Sequence, residues 1–197
     1  MLITQKIAFF HIPKTGGVWV DRALNRGGLF TRQVDHMHSY PEGHDPNLIN
    51  NRFKFAFVRN PLWWYRSFWS FRVGNGISLS RQDTILDKVC MSLMFSEFIE
   101  NCCRETPGHL SGLYDAYTSG LDYVGRTENL CDDLIHVLNA SGETFNESTV
   151  RETPMANCSK VEASYTPRLI DLIYKSERKA FDKYGYEIPL ETILEKD

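Results

Sequence analysis

The chain has 197 residues, 42% of them hydrophobic, and its 22 basic and 25 acidic side chains give a net charge of −3. This length can bury one sizeable core, so we expect a single domain over residues 1–197. The slightly acidic balance disfavours a nonspecific nucleic-acid binder, because such proteins need a strongly positive field. It also disfavours a long, highly sulfated polymer as a ligand.

The first chemical signal is the segment F-F-H-I-P-K-T-G-G at residues 9–17, where an apolar strand stops at a proline and two glycines open a helix. Glycines let backbone N–H groups point at an anion, and the helix N-terminus adds its positive dipole end. Lys14 can reach the same anion as a point charge. Because the lysine precedes the glycines, the segment differs from the nucleotide P-loop G-x-x-x-x-G-K-[ST]. It predicts a phosphate site, with an ordinary tight turn as the alternative.

Two histidines, His36 and His38, follow residues 31–35, a short run that we expect to be extended, and we expect the same alternation to continue through them. Side chains two residues apart in an extended chain point to the same side. Imidazole titrates near neutral pH, so either ring is a candidate general base. The alternatives are two solvated loop residues, or a metal site begun with His44, although no cluster shows zinc spacing.

Residues 53–58, F-K-F-A-F-V, form a predicted buried strand, and Pro61 suits the first position of the next helix. Arg59 then lies at the carboxyl end of a strand, the edge at which open α/β sheets bind ligands. Ser67 lies about two helical turns further on, on a face that could share the ligand of Arg59. Two anion sites on neighbouring strands predict a ligand with phosphates at both ends.

The remaining segments complete an α/β pattern. We expect one helix over residues 80–103, with Thr84 or Ser96 as a cap, and a polar, irregular stretch over 150–162. The run D-Y-V-G-R-T-E-N-L at 122–130 indicates either a nucleotide contact or a plain helix start. Apolar strands interleaved with helices favour a mostly parallel sheet.

The run H-I-P-K-T-G-G, followed by F-V-R-N-P and a serine eight residues after the arginine, resembles the sulfotransferases that use 3′-phosphoadenosine 5′-phosphosulfate (PAPS). It looks closest to the carbohydrate branch with the heparan and chondroitin enzymes. The segment V-G-R-T-E and a closing helix over 166–181 are similar to that branch too, so the resemblance covers residues 6–187. It implies a three-layer sandwich with a central, mostly parallel sheet, the P-loop nucleoside triphosphate hydrolase-like sulfotransferase fold.

The resemblance also implies an activity, which is PAPS-dependent transfer of the sulfuryl group to an acceptor hydroxyl by in-line displacement. The product would be adenosine 3′,5′-bisphosphate, and no metal would be needed. The cosubstrate contacts that it implies are Lys14, Thr15, Gly16, Gly17, Val18, Trp19, Arg59, Ser67, Arg126 and Lys160.

Individual roles follow from the same resemblance. Lys14 would stabilise charge on the leaving oxygen, and the backbone of residues 15–17 would hold the 5′-phosphate. Arg59 and Ser67 would bind the 3′-phosphate, and Trp19 would stack on the adenine. Val18 stands where relatives usually carry a threonine, so its N–H alone would contribute, with weaker binding.

The resemblance extends to the base. Heparan 2-O-sulfotransferases carry a similar H-x-H, in which the second histidine is usually assigned as the base. By this match His38 is the catalytic base, and His36 is a substrate-binding or backup base.

The expected acceptor is a carbohydrate or a small hydroxylated molecule, with no nucleic-acid or membrane partner and an oligomeric state that the sequence leaves open. The five cysteines are an odd number without framework spacing, and no signal peptide or membrane segment is recognisable. We therefore expect a cytoplasmic enzyme, with a trimmed lumenal domain as the alternative. Two other functions stay open, namely a P-loop-type kinase that uses ATP and a non-catalytic bisphosphate-binding relative.

Overall fold

A computed structural model describes residues 1–74, 84–156, 161 and 163–188. The strands are β1 (Leu2–Ile3), β2 (Ile7–Phe9), β3 (Arg32–Gln33), β4 (Phe53–Val58) and β5 (Tyr123–Arg126). They form one five-stranded sheet in the order β3-β1-β2-β4-β5. The predicted α/β class is confirmed, and so is the predicted strand at 53–58.

The sheet is mixed rather than mostly parallel. β2, β4 and β5 run parallel to one another, whereas β1 is antiparallel to both β2 and β3. The reason is the connection between β1 and β2, because residues 4–6 are too few for a crossover and can only close a hairpin. The three parallel strands carry the segments that the sequence marks for function.

Along the chain, the helices of the described residues lie between these strands and after the last one. They are α1 (Gly17–Arg26), α2 (Pro46–Ile49), α3 (Pro61–Gly74), α4 (Ile85–Val89), α5 (Phe95–Glu105), α6 (His109–Thr118), α7 (Leu130–Ser141), α8 (Glu147–Arg151), α9 (Pro167–Ser176) and α10 (Arg178–Tyr184), with a 3-10 turn at Thr127–Asn129. The helix expected to begin at Pro61 does so. Among the described residues no helix is both long and apolar enough to cross a membrane.

The described residues form two compact units. The first comprises residues 1–59 and 114–156 and contains the whole sheet. Its core joins β2 and β4 to α1 and α7, with Phe9, Phe55 and Leu134 fully buried. The rings of Phe9 and Phe55 stack with centroids 5.0 Å apart, because parallel register places these residues side by side. This core fixes the strand ends from which the candidate site is built.

The second unit comprises residues 60–74, 84–113, 161 and 163–188. The regular secondary structure of these residues is helical. Its buried Glu177 separates α9 from α10, so the predicted closing helix over 166–181 is interrupted. The carboxylate accepts hydrogen bonds from the Tyr65 hydroxyl at 2.7 Å and from the backbone N–H groups of Leu110 at 3.1 Å and Ser111 at 2.8 Å. It thereby caps the start of α6 from another part of the chain.

The predicted helix over 80–103 is also wrong as a single element. Within the described residues it consists of α4 and α5, separated at residues 90–94. The Ser92 hydroxyl donates to Glu97 at 2.6 Å and accepts from the Met94 N–H at 3.1 Å. Such local side-chain bonds compete with helix continuation. The predicted cap at Thr84 is confirmed, and it pairs with Asp87 in a capping box.

Candidate functional site

Three strand ends meet at one edge of the sheet in the first unit. Because β2, β4 and β5 are parallel, the residues that follow them lie along the same edge. The hydroxyl of Thr127, just after β5, donates to the carbonyl oxygens of Thr15 at 3.2 Å and of Val58 at 2.9 Å. The Thr127 side chain thus links the segment after β2, the end of β4 and the segment after β5. Sequence reasoning placed Thr127 in a candidate motif but missed this role, since its partners are 112 and 69 residues away.

The segment between β2 and α1, residues 10–16, has the geometry of an anion cradle. Lys14 and Gly16 have positive φ angles of 67° and 88°, and α1 begins at Gly17. In the described part of the chain, the N–H groups of Gly16, Gly17 and Val18 donate to no acceptor. Successive free N–H groups in such a turn form a concave anion-binding surface. Thr15 is buried and its hydroxyl donates to the Ile12 carbonyl at 2.8 Å, so its side chain serves the turn itself.

Both glycines of this segment are required by their surroundings. A Cβ on Gly17 would lie 2.0 Å from Cδ2 of the His11 ring, which is buried directly beneath it. A Cβ on Gly16 would lie 2.8 Å from Leu130, and its φ of 88° is strained for any L side chain. The backbone therefore packs closely on the core while it keeps its N–H groups free.

Two cationic residues belong to this cradle. The Arg59 guanidinium donates to the Lys14 carbonyl oxygen at 3.3 Å, which ties the end of β4 to the turn after β2. The backbone of Arg59 is held in turn by Tyr114, whose hydroxyl accepts from the Arg59 N–H at 3.1 Å and donates to its carbonyl oxygen at 2.8 Å. The lysine and the arginine that the sequence assigned to separate anion contacts are thus joined in one unit.

His38 is tethered to the same segment. Its Nδ1 lies 3.1 Å from the His11 carbonyl oxygen, and the two rings lie 4.6 Å apart. A carbonyl oxygen only accepts, so Nδ1 carries the proton and Nε2 keeps its lone pair. Burial lowers the pKa of His38 below its ordinary value, the bond to His11 opposes this shift, and the charge of His36 adds to it. The ring is therefore neutral at pH 7, as a general base must be.

His11 itself is a different kind of histidine. It is buried between the Phe9 ring, whose centroid lies 5.7 Å away, and Gly17. Burial is the main cause that lowers its pKa to about 3, followed by the charge of His38. His11 thus stays neutral and acts through its ring volume and its carbonyl oxygen. The sequence offered no signal for this role.

The extended run expected at residues 31–35 contains β3, but the expected continuation through His36 and His38 is wrong. Asp35 has a positive φ of 55°, and the Ser39 N–H donates to the His36 carbonyl oxygen at 3.1 Å, so the chain turns here. The two rings are nevertheless close, with centroids 5.8 Å apart. The His38 N–H donates to Nδ1 of the exposed His36 at 3.2 Å. That bond occupies the lone pair of His36 and leaves its other nitrogen as a donor.

The Asp35 carboxylate lies close to the imidazole of His44, although neither ring nitrogen of His44 has a hydrogen-bond partner among the described residues. The carboxylate lies 2.9 Å from Nδ1 of His44, which is buried against Phe10. This contact closes the loop 35–44, which carries His36 and His38. Within the described residues, no group of three His, Cys, Asp or Glu side chains is arranged to hold a metal ion.

The other predicted contact residues have varied local settings. The Trp19 indole is only 5% exposed and donates to the Thr153 carbonyl oxygen at 3.1 Å, so it packs in the core of the first unit. Arg126 is exposed at the end of β5, where its N–H donates to Asp133 at 2.7 Å. Ser67 lies half-buried on α3 of the second unit. Lys160 lies outside the described residues.

Comparisons with known proteins add no family to this geometry. No protein-family model, no curated protein and no solved structure matches the chain. The functional argument therefore depends on the residues of the site.

Proposed function

We propose that this protein is a PAPS-dependent sulfotransferase, which moves the sulfuryl group to a hydroxyl of a carbohydrate or small hydroxylated acceptor by in-line displacement. The observation that carries the proposal is that three groups are linked: a turn that contains Lys14 and whose N–H groups at residues 16–18 have no acceptor within the described residues, the Arg59 guanidinium, and the His38 imidazole. We propose further that its α/β arrangement is a form of the P-loop-like, three-layer sulfotransferase fold.

The residues present suit the cosubstrate. The N–H groups of residues 16–18, at the N-terminus of α1, offer donors for the 5′-phosphate, and the helix dipole favours the negative charge. The Arg59 guanidinium, bound to the Lys14 carbonyl oxygen, brings positive charge to this turn, and Lys14 is a residue of the turn itself. When bound, PAPS would supply the sulfuryl group and a stable bisphosphate leaving group. Contacts from Ser67, Trp19, Arg126 and Lys160 stay predictions from the resemblance.

His38 is the proposed base, and the hydrogen bonds favour it over His36. Its free Nε2 can take the proton of an acceptor hydroxyl, while Nδ1–H stays bound to the His11 carbonyl oxygen. The imidazolium that forms remains oriented by the same bond. His36 already uses its lone pair for the His38 N–H, so its role would be to donate to the acceptor or to neighbouring charge.

The test separates proton transfer from binding. His38→Ala should lower sulfate transfer by about 10²–10⁴-fold, the usual contribution of a general base, whereas affinity for adenosine 3′,5′-bisphosphate should change less than about twofold. The readout is transfer of radiolabelled sulfate from PAPS to a panel of neutral hydroxylated acceptors, with calorimetry for the bisphosphate. His136→Ala is the matched control, since His136 is an exposed histidine of α7.

Two results would overturn the proposal. Equal losses of transfer and of bisphosphate affinity in His38→Ala would remove the base assignment. Bisphosphate binding by the unaltered protein without transfer to any acceptor would favour the non-catalytic relative.

A further inference from the structure

Exposed apolar side chains occur on the loop that carries the proposed base and at the start of α1. On the loop 35–44, Tyr40 is 46% exposed and Met37 is 37% exposed, and Val18 at the start of α1 is 37% exposed. Large apolar groups exposed together next to a polar group are typical of ligand sites, where they bind the body of a ligand while the polar group orients it.

A chain of contacts joins Tyr40 to His38. Tyr117 is buried in the first unit, and its hydroxyl donates to the His38 carbonyl oxygen at 2.5 Å. Its ring packs on the ring of Tyr40, with centroids 4.5 Å apart. Burial, followed by the charge of Tyr40, raises the pKa of Tyr117, so its hydroxyl stays a neutral donor. Tyr40 therefore offers a flat ring surface that is fixed relative to the base.

The base also contacts the segment that leads into α1. The His38 ring lies 4.6 Å from the His11 ring, and the His11 ring lies directly against Gly17 at the start of α1. The loop that carries the base and Tyr40 is thus held against the cradle.

The charge of this surface selects among acceptors. Residues 33–44 contain two carboxylates, Asp35 and Glu42, and neither lysine nor arginine. The Asp35 side chain is 64% exposed even though it contacts His44. Like charges across an interface reject a partner, so a sulfated or carboxylated acceptor is disfavoured at this loop.

We propose that Tyr40, with Met37, binds a neutral hydroxylated acceptor that presents a flat apolar face, either a pyranose ring or an aryl group. The inference rests on the proposed function, since it takes His38 as the base. Stacking on Tyr40 would place a hydroxyl of the acceptor near that imidazole.

The experiment measures binding and transfer in the same samples. The full chain, saturated with adenosine 3′,5′-bisphosphate, is mixed with p-nitrophenyl β-D-glucoside, and saturation-transfer NMR reports which ring protons touch the protein. Methyl β-D-glucoside and benzyl alcohol separate the sugar source from the aryl source. A heparin-derived tetrasaccharide is the anionic comparison.

Variants test the assigned surface. Tyr40→Ala should weaken the glucoside signal at least tenfold, whereas Tyr40→Phe, which keeps the ring, should stay within threefold of the unaltered protein. Phe30→Ala is the matched control, since Phe30 is an aromatic residue of the first unit that is 86% exposed. Bisphosphate affinity should be the same in all four proteins.

The outcomes separate the two proposals. An unchanged glucoside signal in Tyr40→Ala, no signal from any neutral probe, or stronger binding of the tetrasaccharide would overturn the acceptor assignment. Failure of the unaltered protein to bind the bisphosphate, with a glucoside signal that still depends on Tyr40, would overturn the proposed function and support the Tyr40 surface.

Discussion

The imidazole of His38 is held by a hydrogen bond to the backbone of His11, and the backbone of His38 is held by Tyr117. Nδ1 donates to the His11 carbonyl oxygen at 3.1 Å, and the His38 carbonyl oxygen accepts from Tyr117 at 2.5 Å. These contacts choose the tautomer and place the free Nε2. The hydrogen bond made by one ring nitrogen of a histidine commonly decides which of the two nitrogens carries the proton and which one reacts.

The rate should therefore depend on pH in a defined direction. The base acts when neutral, and burial lowers the pKa of His38 below 6.5, which moves the acidic limb of the profile to lower pH. We expect kcat/KM for PAPS-dependent transfer to be flat above pH 7 and to fall about tenfold per pH unit below the lowered pKa. The measurement is the pH profile of kcat/KM, with His38→Ala as the control that should lose the limb. A limb centred above pH 6.5 in the unaltered protein would contradict the account.

Val18 offers a gain-of-function test. Its N–H is free in the described structure and its side chain is exposed, so Val18→Thr adds a hydroxyl at the cradle with little effect on the core. A hydrogen bond to a charged group contributes about 1.5–3 kcal/mol, and therefore bisphosphate affinity should rise about tenfold or more. Calorimetry with adenosine 3′,5′-bisphosphate measures this. Val89→Thr, at another exposed valine, should leave affinity unchanged, and an equal affinity in Val18→Thr would remove Val18 from the site.

At the residue scale the sequence identified candidate groups but not the contacts that hold them. The candidate groups Lys14, Arg59 and His38 were recognisable from their local settings, because each follows a strand or lies in a short motif. The roles of His11 and Thr127 were not, since they depend on contacts with residues far along the chain. The burial of Trp19 was not predictable either, because position in a motif says nothing about burial, and the indole lies in the core.

The element of greatest consequence is the turn between β2 and α1. Its two glycines let the backbone pass over the His11 ring and beside Leu130, and the helix then starts with free N–H groups. Close packing and anion binding thus come from one feature, the absence of a Cβ.

Gly17→Ala should therefore damage stability and binding together. The new Cβ would meet the His11 ring at 2.0 Å, and overpacking of this kind costs about 1–3 kcal/mol. Urea unfolding measures the loss, and calorimetry measures the weaker binding of adenosine 3′,5′-bisphosphate. Gly112→Ala is the control, because a Cβ there meets nothing within 4 Å and helical alanine is favoured over glycine by up to about 1 kcal/mol.

A double variant tests whether a clash with the His11 ring is what lowers the stability of Gly17→Ala. His11→Ala removes the ring that the Cβ would strike, so Gly17→Ala should cost less free energy of unfolding in that background than alone. Equal costs in both backgrounds would mean that the ring is not the obstacle.

Elements with strong local signals were predicted, and those shaped by distant contacts were not. The strand at 53–58 and the helix start at Pro61 follow from aromatic content and from proline stereochemistry. The breaks at residues 90–94 and at Glu177 follow from the bonds of Ser92 and from a carboxylate that must remain with its buried donors. Hydrophobic periodicity continues through both breaks, so pattern alone predicts unbroken helices.

At the scale of the whole molecule, the α/β class follows from alternating strands and helices, whereas the sheet topology does not. β1 and β3 have two residues each, too short for any periodic signal, and they make the sheet mixed. The described residues form two compact units. One domain over residues 1–197 therefore stays a prediction. The site built on the first unit needs only its three parallel strands.

The central claim is that the cradle binds a nucleotide with phosphates at both ends, and a thermal melt tests it most directly. At about a hundredfold excess over its dissociation constant, adenosine 3′,5′-bisphosphate should add about 2.7 kcal/mol of stability and raise Tm by roughly 5–10 °C. In Lys14→Ala and in Arg59→Ala, the bisphosphate should raise Tm by less, measured against the unliganded melt of each variant. With the unaltered protein, AMP should raise Tm by less than the bisphosphate does. A shift with ATP–Mg²⁺ alone would favour a kinase, and no shift with the bisphosphate would contradict the account.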